Sequence, residues 1–266
     1  MRTYLRICLV LTSLVIFTVS APRLRADGIA FNVTPMIADL TAEAGTTQTG
    51  VITLSDNSAA DSAPLRVKVA VKDWTLTVSG DPHFFEAGTT PGSCASWLTV
   101  TPQELSVPSG QPQVVRYTLA VPPGAQGSYH AIVFLTTAPL PSHVNNRNVL
   151  VSGCIGCTLY VQVGPCVRRA KITALTMTAN NVTLTLQNTG SSYLRLKGVV
   201  KIAGSDGEVV QQITIPGAVV LPGENGTRTI TLPLSSAAAT GSYTATAILD
   251  YGGDVLLGAR ANVVVP

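Results

Sequence analysis

LRVKVAVKDWTLTV, residues 65–78, sets Leu65, Val67, Val69 and Val71 on one side of the chain and Arg66, Lys68, Ala70 and Lys72 on the other. Side chains that change face at every step have the period of an extended strand, so this segment is expected to form a strand with one face buried and one in water. The same alternation recurs at IAFNV (29–33), TGVITLS (49–55), SWLTV (96–100), QVVRYTLAV (113–121), GSYHAIVFLTT (127–137) and the run from about 155 to 163. Apolar residues almost nowhere repeat at helical spacing. Turn signals lie between these runs at Ala44-Gly45, Ser55-Asp56-Asn57, Pro108-Ser109-Gly110 and Pro122-Pro123-Gly124. About seven short strands in this length predict an antiparallel β-sandwich.

Gly164-Pro165 closes that series, and Val167-Arg168-Arg169 reads as a connector. A second series follows at 170–177, 181–188, 193–204, 207–215, 227–234, 241–251 and 256–265. The expected fold is therefore all-β, with two tandem immunoglobulin-like sandwiches at 27–165 and 170–266. Residues 110–135 and 223–249 run in the same order, from a Pro/Gly turn through a strand and a small-residue loop into Gly-Ser-Tyr and another strand. Such order points to duplicated topology. APLPSHVNNRNV, 138–149, is expected to be an irregular loop.

Ahead of the first series, Arg2 and Arg6 precede the apolar run ICLVLTSLVIFTV and small residues suited to cleavage, the pattern of a secretory signal peptide over residues 1–26. That run is short for a membrane span, and no later segment supplies one, so no integral membrane segment is expected in the mature chain. Periplasmic or extracellular residence follows. Four of the 17 basic residues lie in the leader, which has no acidic residue, leaving 13 basic against 14 acidic. A near-neutral mature chain gives no support to nucleic-acid binding.

Export bears on the cysteines. SGCIGCTLYVQVGPC, 152–166, holds three, and Cys94 is the fourth of the mature chain. An even number in an oxidising compartment favours disulfides among Cys94, Cys154, Cys157 and Cys166, with three pairings open. In an extended strand Cys154 and Cys157 stand about 10 Å apart, beyond bridging range, so a bond from Cys94 to one of this group is preferred. A zinc site would need two close pairs, and Cys94 has no near partner. A thioredoxin-like pair would need a helix N-terminus after the motif, whereas TLYVQV is strand-like.

Other chemistry is sparse. His83, His130 and His143 stand in no catalytic motif, and the acidic residues form no pair spaced for acid–base work. GSDG at 204–207 reads as a hairpin turn. Neither a cofactor nor a metal is expected, and the chain is not expected to be an enzyme.

WLTVTPQELSVPSGQPQVVRYTLAVPPGAQGSYHAIVFL, 97–135, resembles the N-terminal domain of periplasmic pilus-assembly chaperones in Val100-Thr101-Pro102, the turn up to Gly110, the Gln113-Val114-Val115-Arg116 strand, and Tyr129 to Leu135. IAFNVTPMIADL, 29–40, looks like that family's opening strand. The resemblance spans about 28–165, while the second half is similar to generic bacterial immunoglobulin-like modules. Tandem sandwiches of this layout also occur in WxL-interacting surface proteins.

The resemblance implies a protein-binding protein that assembles secreted or pilus-type β-rich subunits by strand addition. It assigns partner contact to Val149–Val163, with Ile155, Leu159, Val161 and Val163 at the required period. It also implies a cationic anchor, an Arg in the opening strand and a Lys in the donor strand. Residues 29–40 and 149–163 contain neither, leaving Arg168 and Arg169 as candidate substitutes. The alternatives are a cell-surface adhesion or scaffold module and a thiol-disulfide enzyme using Cys154 and Cys157.

Overall fold

The computed structural model describes residues 30–59, 62–144 and 147–266. The leader expected at 1–26 lies outside these residues. Nineteen strands and two short 3-10 turns, Ala95–Trp97 and Gly223–Asn225, make up the described secondary structure. The chain is all-β.

Residues 65–76 form the strand their alternation predicts: Leu65, Val67 and Val69 are buried while Arg66, Lys68 and Ala70 are exposed. In chain order the first half runs β1 (Phe31–Thr34), β2 (Ile37–Ala42), β3 (Thr47–Asp56), β4 (Leu65–Leu76), β5 (Pro82–Phe85), β6 (Leu98–Thr101), β7 (Glu104–Val107), β8 (Gln113–Ala120), β9 (Gly127–Thr137), β10 (Leu140–Val144), β11 (Arg147–Val151) and β12 (Cys154–Val163). One sheet has the order β1-β3-β8-β6. The facing sheet has the order β2-β12-β9-β4-β5, with β7 also on β4. Their inner faces meet in one core containing Ile52, Leu54, Val115, Leu119, Val133, Leu135 and Leu159, all removed from solvent.

The opening strand changes sheets. β1 pairs antiparallel with β3, the chain passes Pro35-Met36, and β2 then pairs parallel with β12 from Ile37 opposite Thr158 to Ala42 opposite Val163. Residues 164–169 carry no strand.

The second half runs β13 (Ala170–Met177), β14 (Asn181–Asn188), β15 (Leu194–Ala203), β16 (Val209–Val220), β17 (Thr227–Pro233), β18 (Gly241–Asp250) and β19 (Leu257–Val265). These form sheets β13-β14-β17 and β16-β15-β18-β19 around a separate core with Val182, Leu184, Leu186, Leu194 and Leu249 at its centre. The fold is thus two tandem immunoglobulin-like sandwiches.

One expectation changes and one holds. Segment 138–149 was expected to be irregular, yet β10 and β11 pair antiparallel from Leu140 opposite Val151 to Val144 opposite Arg147. Their prolines and asparagines hide the alternation, and this isolated ladder needs no buried face. GSDG does form a turn, as expected, with Gly207 N–H donating to the Gly204 carbonyl.

Candidate functional site

β12 is flanked unequally. From Cys154 to Val163 it pairs with β9, but on its other side β2 begins only at Thr158, whose N–H donates to the Met36 carbonyl at 2.9 Å. Antiparallel partners exchange bonds at every second residue. Thr137 N–H donates to the Gly153 carbonyl, so the backbone groups of Gly153, Ile155 and Cys157 turn toward β9. Those of Cys154 and Gly156 then face the open side. The result is a four-residue length of sheet edge with no ladder partner among the described residues, a template for another extended chain.

Side chains around this edge divide by face. Leu159, Val161 and Val163 lie wholly inside the core, and Ile155 is half-buried against it. Because β9 and β2 hold Leu159–Val163 on both sides, these three side chains pack the sandwich and do not meet solvent, contrary to the direct partner contact expected of them. Ile155, beside the open edge, is the member of the set still within reach. Arg168 and Arg169 are exposed beyond the far end of β12, where an Arg168 Nη2 stands 3.5 Å from Gln162 Oε1.

Gly156 has a specific use. A Cβ there would stand 2.5 Å from Ile132 Cδ1 and 3.3 Å from Phe134 Cε1, so both side chains lean over the strand where glycine leaves room. Phe84 stacks edge-on against Phe134, ring centres 4.8 Å apart. The outer face therefore stays apolar up to the open edge, and Met36 (61% exposed) and Ile37 (49%) extend that surface past it. On the hairpin side, Leu150 (72%) and Val151 (38%) are also exposed.

Toward the second sandwich the same face becomes aromatic. Trp74, Ile132, Tyr160, Tyr193 and Leu221 form one buried cluster across the two sandwiches. Tyr160 and Tyr193 ring centres are 4.5 Å apart, and the Arg195 guanidinium lies 4.9 Å above Tyr160. Asp39, on β2, receives bonds from Tyr193 Oη at 2.7 Å and Arg195 Nη2 at 2.6 Å. Burial pushes the Tyr160 phenol up to about 12. His130 Nε2–H donates to the Trp74 carbonyl at 2.9 Å, while its Nδ1 is buried with no partner among the described residues. Burial lowers the His130 pKa, against the opposing pull of the Trp74 bond and the Asp73 charge.

Asp73 organises the adjoining loop. Its buried carboxylate receives the N–H groups of Gly88, Thr89 and Thr90 and the Ser93 hydroxyl. Burial raises its pKa, but these donors outweigh burial and hold it below the usual carboxylate range.

Cys94, Cys154, Cys157 and Cys166 are free thiols, so the expected disulfide is not formed. Cys157 points into the core and Cys154 to the opposite face of the same strand, and Cys94 is buried beside β9. Burial raises the Cys94 thiol to about 12 and the Cys157 thiol to about 11. A redox-active cysteine needs the reverse shift, and the strand supplies no helix N-terminus to provide it. Among the described residues no group of three or more His, Cys, Asp or Glu is placed to hold a metal.

Sequence reasoning missed β2 as a separate strand, and with it the place where β12 loses its second neighbour. The signal available was Thr34-Pro35, a proline that interrupts the opening run just where the chain changes sheets.

No protein-family model matches the chain, and no curated protein does. Solved structures similar to it include the class 5 fimbriae chaperone CfaA, at 14% identity and TM-score 0.49 over 88% of this chain and 99% of that one. The YadV chaperone is similar at 11% identity and TM-score 0.48 over 88% and 100%. The Pseudomonas aeruginosa CupB2 chaperone is similar at 14% identity and TM-score 0.44, also over 88% and 100%. Fimbrial chaperones are thus among the structures this chain resembles.

Proposed function

We propose that the protein is an exported, non-enzymatic, chaperone-like assembly factor of the periplasm or cell exterior. Residues 27–165 form its partner-binding domain and 170–266 a second domain. It takes an extended segment of another secreted, β-rich polypeptide, such as a pilus-type subunit, at the open edge of β12.

The observation that carries this reading is the change from two neighbours to one at Thr158. A strand laid beside Cys154–Cys157 would complete the backbone bonding of Cys154 and Gly156, while Ile155 and the exposed Met36, Ile37, Leu150 and Val151 supply apolar contact. Main-chain bonds would hold the register, and side chains would select the partner. Leu159, Val161 and Val163 serve by keeping β12 straight and anchored in the core.

The test is co-expression in the periplasm with β-rich subunits encoded beside this gene. A stable complex with one of them, reduced by changing Ile155, is expected. If none of those subunits co-purifies while the protein itself is folded, the assembly reading fails and a surface scaffold replaces it.

A further inference from the structure

We infer that the outer face of the second sandwich carries a binding site for a phosphorylated sugar, separate from the β12 edge. In sheet β16-β15-β18-β19, Val200 and Ala247 point into the core, so Lys201 and Thr246 beside them in sequence lie on the outer face. Lys201 stands directly opposite Thr246, and Thr246 directly opposite Arg260, one row across three strands. Partners across a ladder share a face. The two cations therefore flank the threonine, with Cα atoms about 10 Å apart at two strand spacings. Neither has an ion pair or a hydrogen-bond partner among the described residues. By contrast, Lys68 meets Glu104, Lys72 meets Glu86, and on this same sheet Lys197 stands opposite Asp250. Thr246 thus puts a hydroxyl between two cations where the row of Lys197 has a carboxylate. Arg168 and Arg228 also lack an ion pair, but Arg168 lies over Gly252 and toward Gln162, and Arg228 is pressed on Gly80 with Nε and Nη1 buried, where no ligand reaches them.

The next row, Ala203–Thr244–Asn262, and the 204–207 turn bound a depression of about 500 Å³ above Thr246 and Arg260, with Ser205 and Ser242 in its lining. The Thr244 hydroxyl donates to Asn262 Oδ1 at 3.1 Å, which spends the acceptor of that amide and leaves its NH2 as a donor. Asp206 is turned back on its own loop, where Oδ1 receives the Glu208 N–H at 3.0 Å, and among the described residues no carboxylate lines the depression. Guanidinium, ammonium, amide and hydroxyl donors around a carboxylate-free floor recognise an oxyanion. The space is several times that of inorganic phosphate, so the anion is carried on a larger polar body. Tyr243 packs toward the core with its Oη donating to the Ala239 carbonyl, so it presents no ring for a nucleobase to stack on. The hydroxyls of Ser205 and Ser242 suit a sugar instead.

Titration of the isotope-labelled protein with glucose 6-phosphate, inorganic phosphate and glucose, followed by amide chemical shifts, tests this. Glucose 6-phosphate is expected to move the signals of residues 244–246 and 260–262, to bind about tenfold more tightly than glucose, and to weaken as salt is added. Inorganic phosphate should move the same signals with about threefold lower affinity than the sugar phosphate. Arg260→Gln, and Thr246→Asp, which sets an acid between the two cations, should each weaken glucose 6-phosphate by about fivefold or more, while Lys197→Gln should leave it within about twofold. All three positions are on the outer face, and circular dichroism checks that each variant is folded. Glucose binding as well as glucose 6-phosphate, or an affinity unchanged in Arg260→Gln, would overturn the site. Inorganic phosphate binding as tightly as the sugar phosphate would overturn its assignment to a sugar. Either result leaves strand addition at β12 standing.

Discussion

At His130 a single side chain ties stability to pH. Its Nε2 proton is committed to the Trp74 carbonyl and its Nδ1 is buried without an acceptor, so the fold prefers the neutral ring. The folded pKa is therefore below the ordinary 6.5. As pH falls through about 6.5 the unfolded chain gains a proton that the native state refuses, so stability drops until the native pKa is reached, by at most about 1.4 kcal/mol per pH unit. Urea midpoints measured from pH 7.5 to 5 should decline in the wild type and decline less in His130→Asn. Equal slopes would show that the native state accommodates the imidazolium.

The thiols permit a second check at this scale. Cys154 is exposed whereas Cys94 and Cys157 are buried with raised pKa values. A maleimide at neutral pH should modify Cys154 rapidly and the two core thiols only after denaturant. Resistance of Cys154 to the reagent in denaturant without reductant would mean that it is oxidised. Here the sequence misled: export and an even cysteine count favour bonding, but the parity of 154 and 157 on one strand sends them to opposite faces. That parity was legible; the burial of Cys94 beside β9 was not, because it depends on how the loop before it returns to that strand.

Among the elements, strands with one face packed on a core were readable, edge strands such as β1 and β6 included, and strands without a buried face were not. β8 and the first half of β4 alternate cleanly because one face of each packs the core, while β9 and β12 are continuously apolar where both of their faces are covered. β5, with all four residues exposed, and β11, with all but Val149 exposed, carry no such imprint. Backbone bonding holds β11, and backbone bonding with the Phe84–Phe134 ring contact holds β5, neither of which leaves an alternating pattern. The open edge of β12 gives a directed test of the same point. Proline at 154 removes an N–H facing the open side and spares the β9 ladder, so Cys154→Pro should cost less than about 1 kcal/mol yet abolish partner capture. Proline at 155 removes an N–H facing β9, so Ile155→Pro should cost about 3 kcal/mol or more. Denaturant titration of both, with capture of a client subunit, checks the pair; equal costs would show that the assigned bonding parity is wrong. Anchoring of the strand can be read the same way, since Leu159→Ala should cost about 2–5 kcal/mol.

Across the whole molecule the two sandwiches could be anticipated from two series of alternating runs, each with its own turns. Their junction could not. It is built from Asp39, Trp74, Tyr160, Tyr193, Arg195 and Leu221, with backbone bonds from Ser128 to Ser191 and from Thr229 to Val78, and no local pattern links positions so far apart. The junction lies toward the end of β12 that β2 covers, and the Cys154–Cys157 end is where the proposed partner strand would enter. Hydrogen exchange at the amides of Cys154–Cys157, followed by mass spectrometry with and without a co-purified client subunit, reads that place directly. Added protection confined to this segment and the adjoining β11 is predicted. Unchanged exchange there, with protection appearing instead on the second sandwich, would contradict it.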